Sequence, residues 1–204
     1  MNGIRAVICD LGRVILWFDS GIFFENLGRR CGVVPDQVRE AAYPGGNLYE
    51  AFDRGILTPE AFYRRYRDNL GVEIDRKTFF EDYNAIFSLN RPVLDVLISL
   101  KKAGHGLVLL SNTDIERFGY IGRTFPEILI FDDYVLSYEL GHLKPEPEIY
   151  REAVRRAGCA PSECLFIDDM EANVRGAVEA GLQGLLYTPQ TDLAAELRAL
   201  GAVV

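Results

Sequence analysis

Five short apolar runs, each bounded by turn residues, fall at Ile4 to Cys9, Gly106 to Leu110, Tyr134 to Leu136, Cys164 to Ile167 and Gly184 to Tyr187. Runs this brief and this uniformly apolar fit strands buried on both faces. Between the later runs lie amphipathic patterns at Pro92 to Ala103, Glu116 to Thr124, Pro147 to Ala157 and Glu171 to Ala180, each closing near glycine or proline as helices do. Alternating strand and helix predicts an α/β protein, a doubly wound parallel sheet joined by right-handed crossovers.

The first strand is not followed by that alternation. From about Gly21 to Phe87 the pattern is helical and rich in aromatics and arginine, with helices expected at Gly21 to Arg30, Pro35 to Tyr43, Leu48 to Arg54, Pro59 to Asn69 and Asp75 to Phe87. Gly32, Gly45-Gly46, Gly55 and Gly71 separate them. At 204 residues the chain has room for one substantial core and a modest insertion. The expected organisation is therefore a core of residues 1–18 and 89–204 with a small helical cap, residues 19–88, over the strand tips. A cap there would close a pocket, and its loop from Gly45 to Gly55 carries polar and aromatic groups suited to a sugar. Tyr49 and Phe52, three apart on one helical face, read as packing within the cap. Trp17 and Phe18 read as core aromatics or as the pocket entrance.

Charge narrows the partners. Lys+Arg number 22 against Asp+Glu 30, a net charge of -8, and no basic run is present to neutralise a phosphate backbone, so nucleic-acid binding is not expected. No segment approaches the roughly 18 apolar residues that span a bilayer, and the N-terminal residues enter a strand pattern directly, so the expectation is no membrane and a cytoplasmic location. Cys9, Cys31, Cys159 and Cys164 are scattered without zinc spacing and read as reduced thiols. His105 and His142, the only histidines, sit beside glycine and read as incidental, which leaves a Ser-His-Asp or Cys-His hydrolase without support.

The ends of the apolar runs carry the chemistry. Asp10 ends the first, Ser111-Asn112-Thr113 follows the second, Lys144 stands in a later loop, and Asp168-Asp169 ends the run from Cys164. Ligands in open α/β sheets bind beyond such strand ends, so Asp10, Asp168 and Asp169 are expected in one pocket. Three carboxylates repel unless a cation joins them, and oxygen-only ligands suit a hard divalent ion such as Mg²⁺. A lysine and a hydroxyl beside that ion would balance a phosphate dianion, which indicates phosphoryl transfer with Asp10 as nucleophile and a small phosphorylated metabolite as substrate. Singly, each element also reads as structural: Asp10, Ser111 and Asp168-Asp169 as helix caps, Lys144 as a solvated loop residue. Four in order, all at expected strand ends, favour the site.

With these motifs in hand, the chain resembles a haloacid dehalogenase (HAD) superfamily hydrolase. Asp10-Leu11-Gly12-Arg13-Val14 resembles the nucleophile motif, Leu109-Leu110-Ser111-Asn112-Thr113 the phosphate-binding motif, Lys144-Pro145 the third and Phe166-Ile167-Asp168-Asp169 the acidic fourth. The resemblance implies a sheet core with a helical cap, Asp10 and Lys144 as catalytic residues, and Ser111, Asn112 and Lys144 on the phosphate. It also implies Mg²⁺ held by Asp10, the Gly12 carbonyl and Asp169, with Asp168 joining directly or through water. Asn173 would support the acidic pair or stand as a solvated surface residue.

One position departs from the family. Most phosphatases of the superfamily carry an aspartate two residues after the nucleophile, where this chain has Gly12, so the usual general acid and base, commonly contributing about 10²–10⁴-fold, is missing. The Asp-Leu-Gly variant with the Lys144-Pro145-Glu146-Pro147-Glu148 run is most similar to the sugar-phosphatase branch that includes glucose-1-phosphate phosphatases. Two alternatives stay open at this point: a metal-independent 2-haloacid dehalogenase, and a weakly active phospholigand-binding member of the superfamily.

Overall fold

A computed structural model describes residues 3–204. Its central sheet has five parallel strands, β1 (Ala6–Cys9), β4 (Gly106–Ser111), β5 (Asp133–Leu136), β6 (Cys164–Asp168) and β7 (Gln183–Leu186), in the order β5-β4-β1-β6-β7. β1, β4 and β6 are buried along nearly their whole length, as uniformly apolar runs require. The sheet is covered on both faces. Val7, Cys9, Leu107, Leu109, Leu165 and Ile167 point into one apolar cluster, and Ala6, Ile8, Val108, Leu110, Cys164 and Phe166 into the other. That split is the two-residue alternation of a strand.

Helices α6 (Arg91–Lys102), α7 (Ile115–Thr124), α9 (Pro147–Ala157) and α10 (Glu171–Glu179) stand within a residue or so of the patterns read in the sequence. Two short helices were not anticipated, α8 (Ser137–Leu140) and α11 (Leu193–Ala199). One glycine matters for the architecture near the strand tips: a Cβ on Gly176 of α10 would stand 2.9 Å from Pro145 Cβ and 3.1 Å from the Pro145 carbonyl oxygen. The missing side chain lets α10 press against the loop that carries Lys144.

Between β1 and β4 the chain builds α1 (Ser20–Cys31), α2 (Pro35–Glu40), α3 (Leu48–Asp53), α4 (Pro59–Leu70) and α5 (Arg76–Asn84). Their apolar faces close over a separate core dominated by rings: Phe52 stacks on Phe62 at 4.4 Å, and Phe23 meets Phe79 edge-on at 5.6 Å. Phe52 is fully buried there, and Tyr49 packs against the same cluster with its hydroxyl 3.0 Å from that of Tyr66.

Two expectations for this segment need correction. The helix expected over Asp75 to Phe87 ends at Asn84, and Phe87 opens a strand, β3 (Phe87–Leu89). β3 pairs antiparallel with β2 (Leu16–Phe18), Leu16 opposite Leu89 and Phe18 opposite Phe87. The chain therefore leaves and re-enters the sheet region through one two-stranded ribbon. The helix expected to reach Tyr43 stops at Glu40, and the chain then turns through Tyr43 to Gly46 toward α3.

Polar ties fix these helices over the strand tips. The Tyr83 hydroxyl donates to Asp114 (2.8 Å), the Ser137 hydroxyl lies 2.6 Å from the Asp53 carbonyl oxygen, and Arg54 pairs with Glu146 at 2.5 Å. No helix among the described residues is long and apolar enough to cross a membrane.

Candidate active site

β1 lies at the centre of the sheet with β4 and β6 on either side, so their C-terminal tips bring Asp10, Ser111 and Asp168 side by side. The strand order reverses direction at this point, where open α/β sheets place their ligands. The fourth element comes from the loop before α9. Lys144 sits deep among the acids, its side chain 2% exposed, with Nζ 2.6 Å from Asp10 Oδ1 and 2.7 Å from Asp168 Oδ2.

Each neighbour has a visible task. Asn112 clamps the Lys144 backbone from both sides, accepting its amide at 2.8 Å and donating to its carbonyl at 3.1 Å. Its carboxamide thereby positions the lysine, and Asn112 also lines the cavity. Asn173 is buried and donates to both oxygens of Asp168, at 3.0 and 3.1 Å, and the Met170 amide adds a third hydrogen bond at 2.8 Å. Asp168 is fully enclosed and saturated by the lysine, the asparagine and the amide. Asp169, half-buried, turns to the cavity instead.

The solvated-loop reading of Lys144 and the surface reading of Asn173 do not describe this arrangement. Nor do the cap readings: Asp114 caps α7 from its own side chain, and no side chain caps α10. Asp10 and Ser111 are buried and line the cavity.

Electrostatics reflect the crowding. Burial raises the Asp10 carboxyl to about 7, opposed by Lys144 and reinforced by the charge of Asp168. Burial and Asp168 also raise Asp169, against Lys144 and Arg13. Lys144 itself stays above its ordinary range, because its two carboxylate partners outweigh burial. With all groups ionised, three carboxylates face one ammonium, an excess of two negative charges. Ligand oxygens of Asp10, Asp168 and Asp169 lie within 4.8 Å of one another. Hard oxygens, that spacing and that charge deficit fit a divalent cation such as Mg²⁺.

The cavity in front of these groups measures about 470 Å³, sufficient for a small metabolite. Gly12 lines it, and a Cβ built there would stand 3.1 Å from the Phe18 ring, so that ring occupies ground a larger residue at position 12 would need. Phe18 thus belongs to the cavity wall, whereas Trp17 packs on the sheet core beside Tyr187. Arg13 has a left-handed backbone (φ 57°), uncommon for a residue with a side chain, and its guanidinium lies 5.2 Å from the Phe18 ring centroid.

The sequence reading missed Arg117, which also lines the cavity. A helix that starts at a strand tip points its first turn at the pocket, and that was the signal available. Both histidines stand outside the cavity lining: His142 bonds Glu146 at 2.9 Å, and His105 accepts from the Val203 amide. All four cysteines are free thiols, with the sulfurs of Cys159 and Cys164 3.3 Å apart.

A fold with these acids at adjacent strand tips defines a class, and comparison with known proteins agrees. The family model of haloacid dehalogenase-like hydrolases matches residues 5–181, and the chain belongs to that family. It is 26% identical to the D-ribitol-5-phosphate phosphatase of Bacteroides thetaiotaomicron over 88% of this chain and 90% of that protein. Pyrophosphatase PpaX of Bacillus velezensis is 32% identical over 91% of this chain and 84% of its own length. Among solved structures, a HAD family enzyme from Bacteroides thetaiotaomicron in complex with magnesium and inorganic phosphate superimposes with a TM-score of 0.84. It is 26% identical, covering 95% of this chain and 99% of its own.

Proposed function

We propose that this protein is a Mg²⁺-dependent phosphatase that hydrolyses a small phosphoester, with a phosphorylated sugar or polyol as the substrate class. The relatives named above support the reading, since one is a phosphatase of a sugar-alcohol phosphate and another, solved as a structure, holds magnesium and phosphate. The observation that carries it is the buried Lys144 ammonium between Asp10 and Asp168, beside a third carboxylate at the cavity. A single lysine leaves two negative charges unmatched, a balance that suits a divalent cation and offers nothing to a halide or a bare carboxylate.

In this reading residues 1–18 and 89–204 form the catalytic core and residues 19–88 the cap that selects the substrate. Asp10, Asp169 and the Gly12 carbonyl would hold the ion, with Asp168 behind them fixing Lys144. Bound there, Mg²⁺ would supply positive charge to offset the phosphate dianion as Asp10 approaches it. Asp10 then attacks phosphorus in line, the ester oxygen departs, and water cleaves the resulting acyl phosphate. Lys144 holds Asp10 in place and spreads positive charge over the phosphate. The Ser111 hydroxyl donates to a phosphate oxygen.

Because Gly12 supplies no proton to the departing oxygen, good leaving groups suffer least, and an anomeric sugar oxygen is among them. The test is phosphate release from a panel of sugar and polyol phosphates. Wild-type enzyme should turn over with Mg²⁺, lose activity in excess EDTA and recover it when Mg²⁺ is restored. Asp10→Asn should fall by at least about 10³-fold. Turnover that survives both EDTA and Asp10→Asn contradicts the reading, and chloride release from a 2-haloacid in EDTA points to the dehalogenase alternative.

A further inference from the structure

The cavity has a second charged wall that the phosphoryl chemistry does not use. Arg117 stands three residues into α7 after its capping residue Asp114 and lines the cavity with Phe18, Phe87 and Ile121. Its side chain is 18% exposed, and its Nε is buried without a hydrogen-bond partner among the described residues. The guanidinium carbon lies 4.2 Å from the Tyr83 ring centroid and 5.9 Å from that of Tyr49. Those rings hold the plane of the group while accepting none of its in-plane N–H bonds.

Asp114 and Asp53 face Arg117 as charges, but among the described residues neither accepts a hydrogen bond from its guanidinium. Asp114 Oδ2 stands 3.8 Å from Arg117 Nε, beyond hydrogen-bond distance. Asp114 already accepts from the Tyr83 hydroxyl at 2.8 Å and from the Glu116 and Arg117 amides at 2.9 Å each, so its needs are met without the guanidinium. An oriented guanidinium with an unfilled N–H donor on a cavity wall is a receptor for a planar or tetrahedral oxyanion, which its fork engages through paired N–H bonds.

We infer that Arg117 binds a second oxyanion on the leaving group, so that the preferred substrates are phosphomonoesters whose short carbon skeleton ends in a carboxylate or a second phosphate. Phe18, Phe87 and Ile121 provide the apolar wall for the skeleton between the two charges. This inference rests on the phosphatase reading above and narrows its substrate class to sugar- or polyol-like phosphates that carry a second anionic group.

A matched series tests it: propyl phosphate, 3-(phosphonooxy)propanoate and propane-1,3-diyl bisphosphate, with kcat/KM measured for wild type, Arg117→Lys and Arg117→Met. Wild type should favour at least one of the anionic members over propyl phosphate on the order of 10²-fold, and the preferred member names the oxyanion. That ratio should collapse toward one in Arg117→Met, mostly through KM, with Arg117→Lys between, because a lysine restores charge without the fork. A wild-type ratio near one, or an unchanged ratio in Arg117→Met, overturns the inference while leaving the phosphatase reading intact. If Arg117→Met does not fold, the wild-type ratio and Arg117→Lys still decide. Absence of phosphate release from all three compounds while the sugar and polyol phosphates above are turned over overturns this inference alone, and absence of release from those as well overturns the phosphatase reading with it.

Discussion

In the proposed mechanism, Gly12 sets the rate. A glycine two places after the proposed nucleophile Asp10 leaves no proton donor there, and the Phe18 ring, 3.1 Å from where a Cβ would be, fills part of the space such a donor would need. The two positions are therefore coupled. Gly12→Asp should raise turnover of a phosphoester with a poor leaving group, and Gly12→Asp with Phe18→Leu should raise it further, by on the order of 10²-fold over wild type. A phosphoester with an acidic leaving group should gain much less. If both variants leave the poor leaving group unchanged or slower, the missing-acid account is wrong. Asn112 and Asn173 illustrate how positioning is shared at this scale. One grips the backbone of Lys144 and the other the carboxylate that Lys144 bonds, so the ammonium is held at both ends.

At the scale of elements, the seam between α3, α5 and α7 is electrostatically strained. Asp53, at the end of α3, has its carboxyl raised to about 7 by burial and by the charge of Asp114, with Arg117 opposing and Glu50 adding. A carboxyl raised in the folded state favours folding only while protonated. Its penalty sets in as pH climbs past the unfolded value of about 3.9 and is complete above about 7. Asp53→Asn removes it, so the variant should melt about 2 °C or more above wild type at pH 8, with the gap narrowing toward pH 5. Thermal unfolding across that range checks the claim, and a gap that is constant with pH, or of opposite sign at pH 8, contradicts it.

The elements also show what local pattern can convey. Strands β1, β4 and β6 were legible because each is a buried apolar run stopped by a polar residue. The β2–β3 ribbon was not, because three-residue strands carry no readable period and Phe87 continues the apolar face of the helix before it. Pairing between residues some seventy apart decides that ribbon, and a single-sequence period does not register it.

For the whole molecule, the outline followed from sequence because two kinds of core alternate along it. The sheet core is aliphatic and arranged in short runs, and the helical insertion is built on rings with helical spacing. Three of the four motifs were legible for the same reason, each being a polar interruption at the end of an apolar run, and Lys144, in a loop, was legible by its place in their order. What stayed hidden was relational. Arg117 is one of 22 basic residues until the fold sets it on the cavity wall against Tyr83. That Asp168 serves Lys144 while Asp169 faces the cavity likewise depends on which way adjacent side chains turn after β6.

The account stands on Asp10 carrying the phosphoryl group. A single turnover in ¹⁸O-water, with enzyme in excess over an active phosphoester and Mg²⁺ present, reads this directly. Hydrolysis at phosphorus releases phosphate bearing one solvent oxygen with or without the covalent step, so the deciding readout is rapid acid quench, which traps label from ³²P-substrate on the peptide that contains Asp10. The same label should be absent from Asp10→Asn. Phosphate released at the normal rate with no label ever trapped on that peptide, or label found on a different residue, contradicts the account.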